Sequence, residues 1–312
     1  MNETRTAMKE CIPSSDSLVW NKRPDFLRDT VVCCVSQALL NEVILTPKPG
    51  LVDKRNCGAH DDMDLALFVR STEAIIGWMP NFYDMGWFSA DIDVERILQM
   101  LRPIGFACEE AMFSATKGVN THKGAIFAFG LLCAAAGRLH ALRQPVDQNS
   151  LCGVVARFCC NLVQRELVNN TEPRSKGERL FKQYGLSGAR GEAESGFLTV
   201  RTHALPTYLR LLKENVPSDV ALLQTLLHLY ARNDDTNLVG RGGMNGLGFV
   251  QQYAQYLLWG GGAVSVPGRQ ALYAFDDELI RRHLSPGGSA DLLAVTLFLS
   301  QFPSGNPSAD VI

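Results

Sequence analysis

The stretch that decides the fold is FLRDTVVCCVSQALLNEVIL, residues 26–45. Leu27, Val31, Val35, Leu39 and Val43 recur every four residues. That is the spacing of one helix face, not the alternation of a strand. Val220, Leu223, Leu226, Leu227 and Tyr230 repeat the pattern. Residues 289–302 are apolar nearly all round, as in a helix buried on every side. No run of alternating β-branched and aromatic residues sits between hairpin turns. The sequence therefore predicts an all-α protein, with one multi-helix globular domain over residues 23–302. Residues 1–22 and 303–312, polar or rich in Gly, Pro and Ser, are expected to be mobile ends.

The 312 residues are 46% hydrophobic and 20% charged, enough apolar material for a real core. Thirty Lys and Arg against 32 Asp and Glu leave a net charge of -2. That balance argues against a nucleic-acid binder working by whole-protein charge, so any polyanion must be held by a local cluster. The nine cysteines are odd in number, form no CxxC pair and include two adjacent doublets. This reads as reduced, mostly buried thiols in a cytoplasmic protein. The N-terminal residues contain no apolar signal-peptide core, and the longest low-charge run, Gly124–Gly137, is 14 residues. No secretion and no membrane span are expected.

Five polar, Gly-rich clusters interrupt the helices: TPKPGLVDKRNCGAHDDMD at 46–64, KGVNTHKGAIF at 117–127, SGARGEAESGF at 187–197, DDTNLVGRGGMNGLG at 234–248 and LSPGGSADLL at 284–293. Helix ends, where backbone N–H groups and the dipole favour phosphate, suit such clusters. Five of them predict loops converging on one polar site. The usual nucleotide signatures fail. GVNTHKGA does not fit GxxxxGK[ST], the glycines at 240–248 do not fit GxGxxG, and HExxH and GxSxG are absent. What remains is mixed charge beside glycine. Lys48, Arg55, Lys123, Arg190 and Arg241 supply cations; Asp53, Asp61, Asp62, Asp64, Glu192, Glu194, Asp234 and Asp235 supply carboxylates. Hard oxygen ligands suit Mg²⁺ and Lys or Arg suits phosphate, so a magnesium nucleotide is the natural ligand class.

The blander readings stand beside this one. The glycines at 240–248 suit a helix cap. His140 and His228 sit in apolar helical runs and read as structural. Asp61 and Asp64 suit first-turn acids, Cys57 suits packing, and Trp78, Phe82, Tyr83 and Trp87 suit core or lid. Glu192 and Glu194, two apart, would not point the same way from a helix.

The five clusters together resemble the triphosphoribosyl-dephospho-coenzyme A synthase family, which makes the citrate lyase prosthetic-group precursor and has a close cousin in malonate decarboxylase assembly. The matching stretches are Lys48 to Asp53, Asn56 to Met63, Gly118 to Phe127, Gly188 to Glu194, Asp235 to Asn237 with Arg241 to Gly243, and Ser285 to Leu293. They span roughly residues 30–300 in the family's order, and THKGAIF and SPGGSADLL are long literal matches.

The resemblance implies a transferase. The 2′-hydroxyl of 3′-dephospho-coenzyme A attacks C1 of the ATP ribose, adenine leaves, and the triphosphate stays on the transferred sugar. The β-glycoside becomes an α-glycoside, as in one displacement with inversion. ATP and dephospho-coenzyme A are the implied partners, and the product would pass to a citrate lyase acyl-carrier transferase, a branch favoured by the wording KPGLVD and NCGAH. A homodimer is compatible with the sequence. Asp53, Asp62 and Glu192 are candidate bases for the hydroxyl, unranked. His60, His122 and Asn120 are candidates for the group facing departing adenine. Mg²⁺ is assigned to Asp62, Glu194 and Asp235, phosphate contact to Lys48, Lys123 and Arg241, and an anion nest to the amides of Gly287 and Gly288. Asn56, Thr121, Arg190, Asn237, Gly242 and Ser285 complete the expected substrate contacts. Two rivals use the same residues: a magnesium-dependent N-ribosyl hydrolase that passes the ribose to water, and a nucleotide carrier without turnover.

Overall fold

The computed structural model describes residues 24–305. The expectation for residues 1–22 lies outside them, as does that for the tail beyond residue 305. Thirteen α-helices and no strand occur among the described residues, as the spacing of Leu27 to Val43 predicts. The first half contains α1 (Asp25–Ile44), α2 (Leu65–Ile76), α3 (Met79–Phe88), α4 (Ile97–Ala115), α5 (Lys123–Ala141) and α6 (Gln148–Phe158). The second contains α7 (Lys176–Tyr184), α8 (Gly188–Glu194), α9 (Leu205–Lys213), α10 (Ser218–Arg232), α11 (Thr236–Trp259), α12 (Val266–Arg281) and α13 (Gly287–Leu299).

Helix α5 is the spine of the core. Ala125, Phe129, Leu132, Cys133 and Ala136 on it are buried. It is 19 residues long and apolar enough to cross a membrane, longer than the low-charge run suggested, but 72% of its apolar window is buried inside the protein. It is a core helix. α3 lies against it at glycine contacts: a Cβ on Gly86 would stand 1.9 Å from the Ala134 carbonyl, and one on Gly137 2.1 Å from that of Tyr83. Phe82 and Tyr83 are buried there, core rather than lid. His140 is structural, its Nδ1 2.8 Å from the Tyr83 hydroxyl. α13 is buried along Leu292–Leu299, matching its all-round apolar reading.

The glycine run at 240–248 does interrupt a helix, as the cap reading has it: two helical segments of α11 meet across a kink at Gly243 (φ 64°, ψ -168°). Two expectations change. Gly242, expected as a substrate contact, sits where a Cβ would come 2.6 Å from Leu284 Cδ2, and it is not part of the cavity wall described below. Of the cysteines, Cys108, Cys133, Cys152 and Cys159 are buried, whereas Cys33 and Cys57 are exposed, so Cys57 does not pack. Asp64 caps α2, accepting from the Leu67 amide at 2.7 Å.

Candidate active site

The start of α5, the start of α11 and the start of α13 meet the 46–64 loop around a cavity of about 460 Å³. That volume lies within the usual small-molecule range of roughly 300–1,000 Å³. Three helix N-termini therefore face it with their positive ends. All five Gly-rich clusters contribute wall residues. His60, Asp62, Asn120, Thr121, His122, Lys123, Glu192, Asp235, Asn237, Arg241, Ser285, Gly287 and Gly288 line it, with Lys48.

The loop over residues 46–60 is held from within. Asp53 accepts from the amides of Lys48 (2.8 Å), Arg55 (2.7 Å) and Asn56 (3.2 Å). Asp276 on α12, fully buried, accepts from the Gly50 amide, the Arg55 guanidinium and the Asn56 side chain. Gly50 turns at φ +76°, and a Cβ there would stand 2.5 Å from the Leu284 carbonyl oxygen, so the position suits glycine. Asp53 and Asn56 do not line the cavity. Their polar atoms build the loop, so the structure places Asp53, expected as a base, and Asn56, expected as a substrate contact, outside the cavity wall.

Other assignments move for similar reasons. Arg190 is paired with Glu166 (3.0 Å) and Glu178 (3.1 Å), away from the cavity. Glu194 accepts from the Val163 amide at 3.1 Å and is also outside. Glu192 faces inward, so the pair diverges as two-residue spacing on a helix requires. Asp235 is the N-cap of α11 and accepts from the amides of Asn237 (2.9 Å) and Ser289 (2.7 Å) and from the Ser289 hydroxyl (3.0 Å). Burial pushes its carboxyl up and these donors pull it back. Gly288 also donates to it, so of the anion nest expected at Gly287 and Gly288 the second amide is taken by the protein's own carboxylate. Lys48 is buried in an ion pair with Glu42 at 2.6 Å, and Lys123 pairs with Glu109 at 2.8 Å.

The two histidines are both held neutral. The Arg241 guanidinium donates to His60 Nδ1 at 3.0 Å, and a guanidinium only donates. Nδ1 is therefore the acceptor, and Nε2–H donates to Ser285 Oγ at 2.8 Å. Burial, then Arg241, lowers the His60 pKa. His122 is buried, its Nδ1 2.7 Å from Ser71 Oγ, which is 2.5 Å from Thr121 Oγ1. Burial, then Lys48, pushes its pKa down to about 3. Neither ring is an imidazolium acid at neutral pH.

Sequence reading missed four wall residues that matter. Glu42 is the acid on the buried face of α1; its signal was its place in the Val35, Leu39, Val43 stripe. Lys176, at the start of α7, lies across Gly240 and has no carboxylate partner among the described residues. Partial burial, then Arg241, lowers its pKa. Lys176 and Arg241 are thus two neighbouring cations without a carboxylate between them. Phe68 stands edge-on to His122 at 5.0 Å. Asp291 lies inside the matching stretch SPGGSADLL, where sequence reading assigns it no role of its own. Its carboxyl meets no hydrogen-bond donor and no ion-pair partner among the described residues, and burial, then Glu42 and Asp235, raises it well above the carboxylate range.

For a metal, no group of three His, Cys, Asp or Glu side chains able to hold an ion occurs among the described residues. The trio Asp62, Glu194 and Asp235 is therefore not a preformed site. Mg²⁺ keeps several waters and binds through one or two carboxylates plus substrate phosphates. Asp62 and Asp234, exposed on the rim, fit that smaller demand.

An all-helical fold around a cavity that holds Lys176 and Arg241 without carboxylate partners among the described residues forms a site suited to a phosphorylated ligand. The model of the ATP:dephospho-CoA triphosphoribosyl transferase family (CitG) matches residues 28–309, and the chain belongs to that family. A 2-(5''-triphosphoribosyl)-3'-dephosphocoenzyme-A synthase of Klebsiella pneumoniae is 63% identical over 278 residues, covering 89% of this chain and 92% of that protein. Proteins of the same name from Escherichia fergusonii and Pectobacterium atrosepticum are 59% identical over 278 residues (88% and 92% covered) and 55% over 270 (86% and 88%). No solved structure matches. The activity is transfer of triphosphoribosyl from ATP to dephospho-coenzyme A.

Proposed function

We propose that this transfer takes place in the 460 Å³ cavity, with the ATP triphosphate at its mouth and the adenine on its floor. The observation that carries the reading is the division of the wall. Lys176 and Arg241, without carboxylate partners among the described residues, stand at one part, while His122, held neutral by burial, and Asp291, whose carboxyl burial raises well above the usual carboxylate range, stand at another. The first pair suits a polyanion and the second an uncharged base.

Asp62 and Asp234 would hold Mg²⁺ with the phosphates, and the ion would neutralise triphosphate charge. Glu192 is the base for the 2′-hydroxyl. Thr199 orients it through a hydroxyl at 2.5 Å and an amide at 3.3 Å, and burial raises its pKa, which makes it a stronger acceptor for a proton. His60 pins Arg241, which also donates to the Ala59 carbonyl at 3.0 Å, so the guanidinium meets phosphate in a fixed orientation. The product serves the citrate lyase acyl carrier, a reading supported by the KPGLVD and NCGAH wording.

The test is to mix the protein with ATP, 3′-dephospho-coenzyme A and Mg²⁺ and identify products by mass. One adenine per triphosphoribosyl adduct supports the reading. Adenine released equally fast without the acceptor marks the hydrolase, and binding without turnover marks the carrier. Glu192→Gln is expected to slow adenine release by about 10²–10⁴-fold.

A further inference from the structure

The departing adenine needs a proton, and the histidines that the sequence offered for it are neutral. The floor of the cavity holds another group. Asp291 lies in the first turns of α13 with its carboxyl against the start of α5. A Cβ on Gly124 would come 1.9 Å from Asp291 Oδ2, so the carboxyl touches the α5 backbone and the glycine makes room for it. Phe127, one helical turn beyond Gly124, and Ala128 line the same wall. A carboxyl with no hydrogen-bond or ion-pair partner among the described residues thus shares a cavity wall with an aromatic side chain, the two features a heteroaromatic ring requires.

We propose that Asp291 is the catalytic acid of the transfer, reading the N7/N6 edge of adenine and delivering its proton to N7 as the base departs. This rests on the transfer reaction in this cavity, proposed above. A carboxylic acid presents one O–H donor and one carbonyl acceptor. Adenine presents the complement, an N7 acceptor and an N6 donor, whereas guanine presents two acceptors. The acid therefore selects adenine and activates it through the same contact.

The step balances. The 2′-oxygen of the acceptor bonds to C1 of the ribose and its proton passes to Glu192. The C1–N9 bond breaks with its electron pair going to the ring, and the Asp291 proton goes to N7. Adenine leaves neutral, and solvent returns a proton to Asp291 and takes one from Glu192. Burial and the neighbouring acids, Glu42 on α1 and Asp235 at the start of α11, favour the protonated form of Asp291 against the positive end of α5, and Lys48 is already paired with Glu42.

The experiment compares Asp291→Asn with the unchanged protein, each with ATP and with 7-deaza-ATP, which lacks the N7 acceptor. The asparagine amide keeps one donor and one acceptor, so the KM for ATP should stay within about threefold while kcat falls by about 10²–10⁴-fold. With 7-deaza-ATP the unchanged protein should slow strongly and the variant should lose little more, since both remove the same proton transfer. Equal 7-deaza penalties in both proteins, or a variant kcat within threefold, would overturn the assignment. The 7-deaza comparison on the unchanged protein does not depend on the variant folding: full speed without N7 sinks the proposal alone. No adenine release from ATP by the unchanged protein would instead overturn the transfer reading and this role with it.

Discussion

The 46–60 loop and the floor of the cavity are built from stretches that match the family equally well, yet they handle polar groups in opposite ways. In the loop, Asp53, Asn56 and Arg55 turn inward onto backbone amides and the buried Asp276. On the floor, His122 Nε2 is buried without a hydrogen-bond partner, and the half-buried Asp291 carboxyl accepts from no donor, among the described residues. A buried polar group without a partner costs about 1–3 kcal/mol. A protein that satisfies one region so completely and leaves the other open marks the second as the place where a ligand supplies the missing bonds. The lesson is that a matching motif does not separate residues that shape a site from residues that act in it; hydrogen-bond accounting does.

The contrast is broken most severely by Asp276→Ala. Three donors would lose their acceptor and Arg55 its buried counter-charge, for a loss of about 3–5 kcal/mol. Urea denaturation should register it, with activity lost in parallel. The floor should respond differently. Gly124→Ala forces the Asp291 carboxyl aside, and kcat should fall by about 10²-fold while the denaturation midpoint barely moves. Equal losses of stability and rate at Gly124 would erase the distinction between the regions.

His122 gives a pH signature. Its folded pKa of about 3 lies below the ordinary 6.5, so the unfolded chain takes up a proton that the folded one refuses. The contribution to stability is full above pH 6.5 and falls as pH drops from 6.5 toward 3, by at most about 1.4 kcal/mol per pH unit. His122→Gln should flatten that part of the stability curve between pH 6.5 and 5. An unchanged slope would mean that the ring is not held neutral. The smallest effect is at the mouth. Lys176→Ala should raise the KM for ATP about tenfold, the scale of one charged hydrogen bond, with kcat little changed.

The helices were legible because Leu27, Val31, Val35, Leu39 and Val43 state their period directly. The convergence of the Gly-rich clusters was legible too, since each carries helix-start chemistry. What the sequence hid was direction. Asp53 and Asp62 lie nine residues apart in one polar stretch, and only the fold turns one into the loop and the other to the rim. Asp291 was hidden by its apolar neighbours Leu292 and Leu293, which made the stretch read as buried helix. Lys176 was hidden by lying outside every Gly-rich cluster. Its position over Gly240 is a tertiary contact that no spacing announces.

The most direct test is a crystal structure of the protein with ATP and without the acceptor. Adenine N7 should lie within hydrogen-bond distance of Asp291, with the triphosphate against Lys176 and Arg241. ATP bound outside the cavity, or turned so that its base sits at the rim and its phosphates on the floor, would contradict the account.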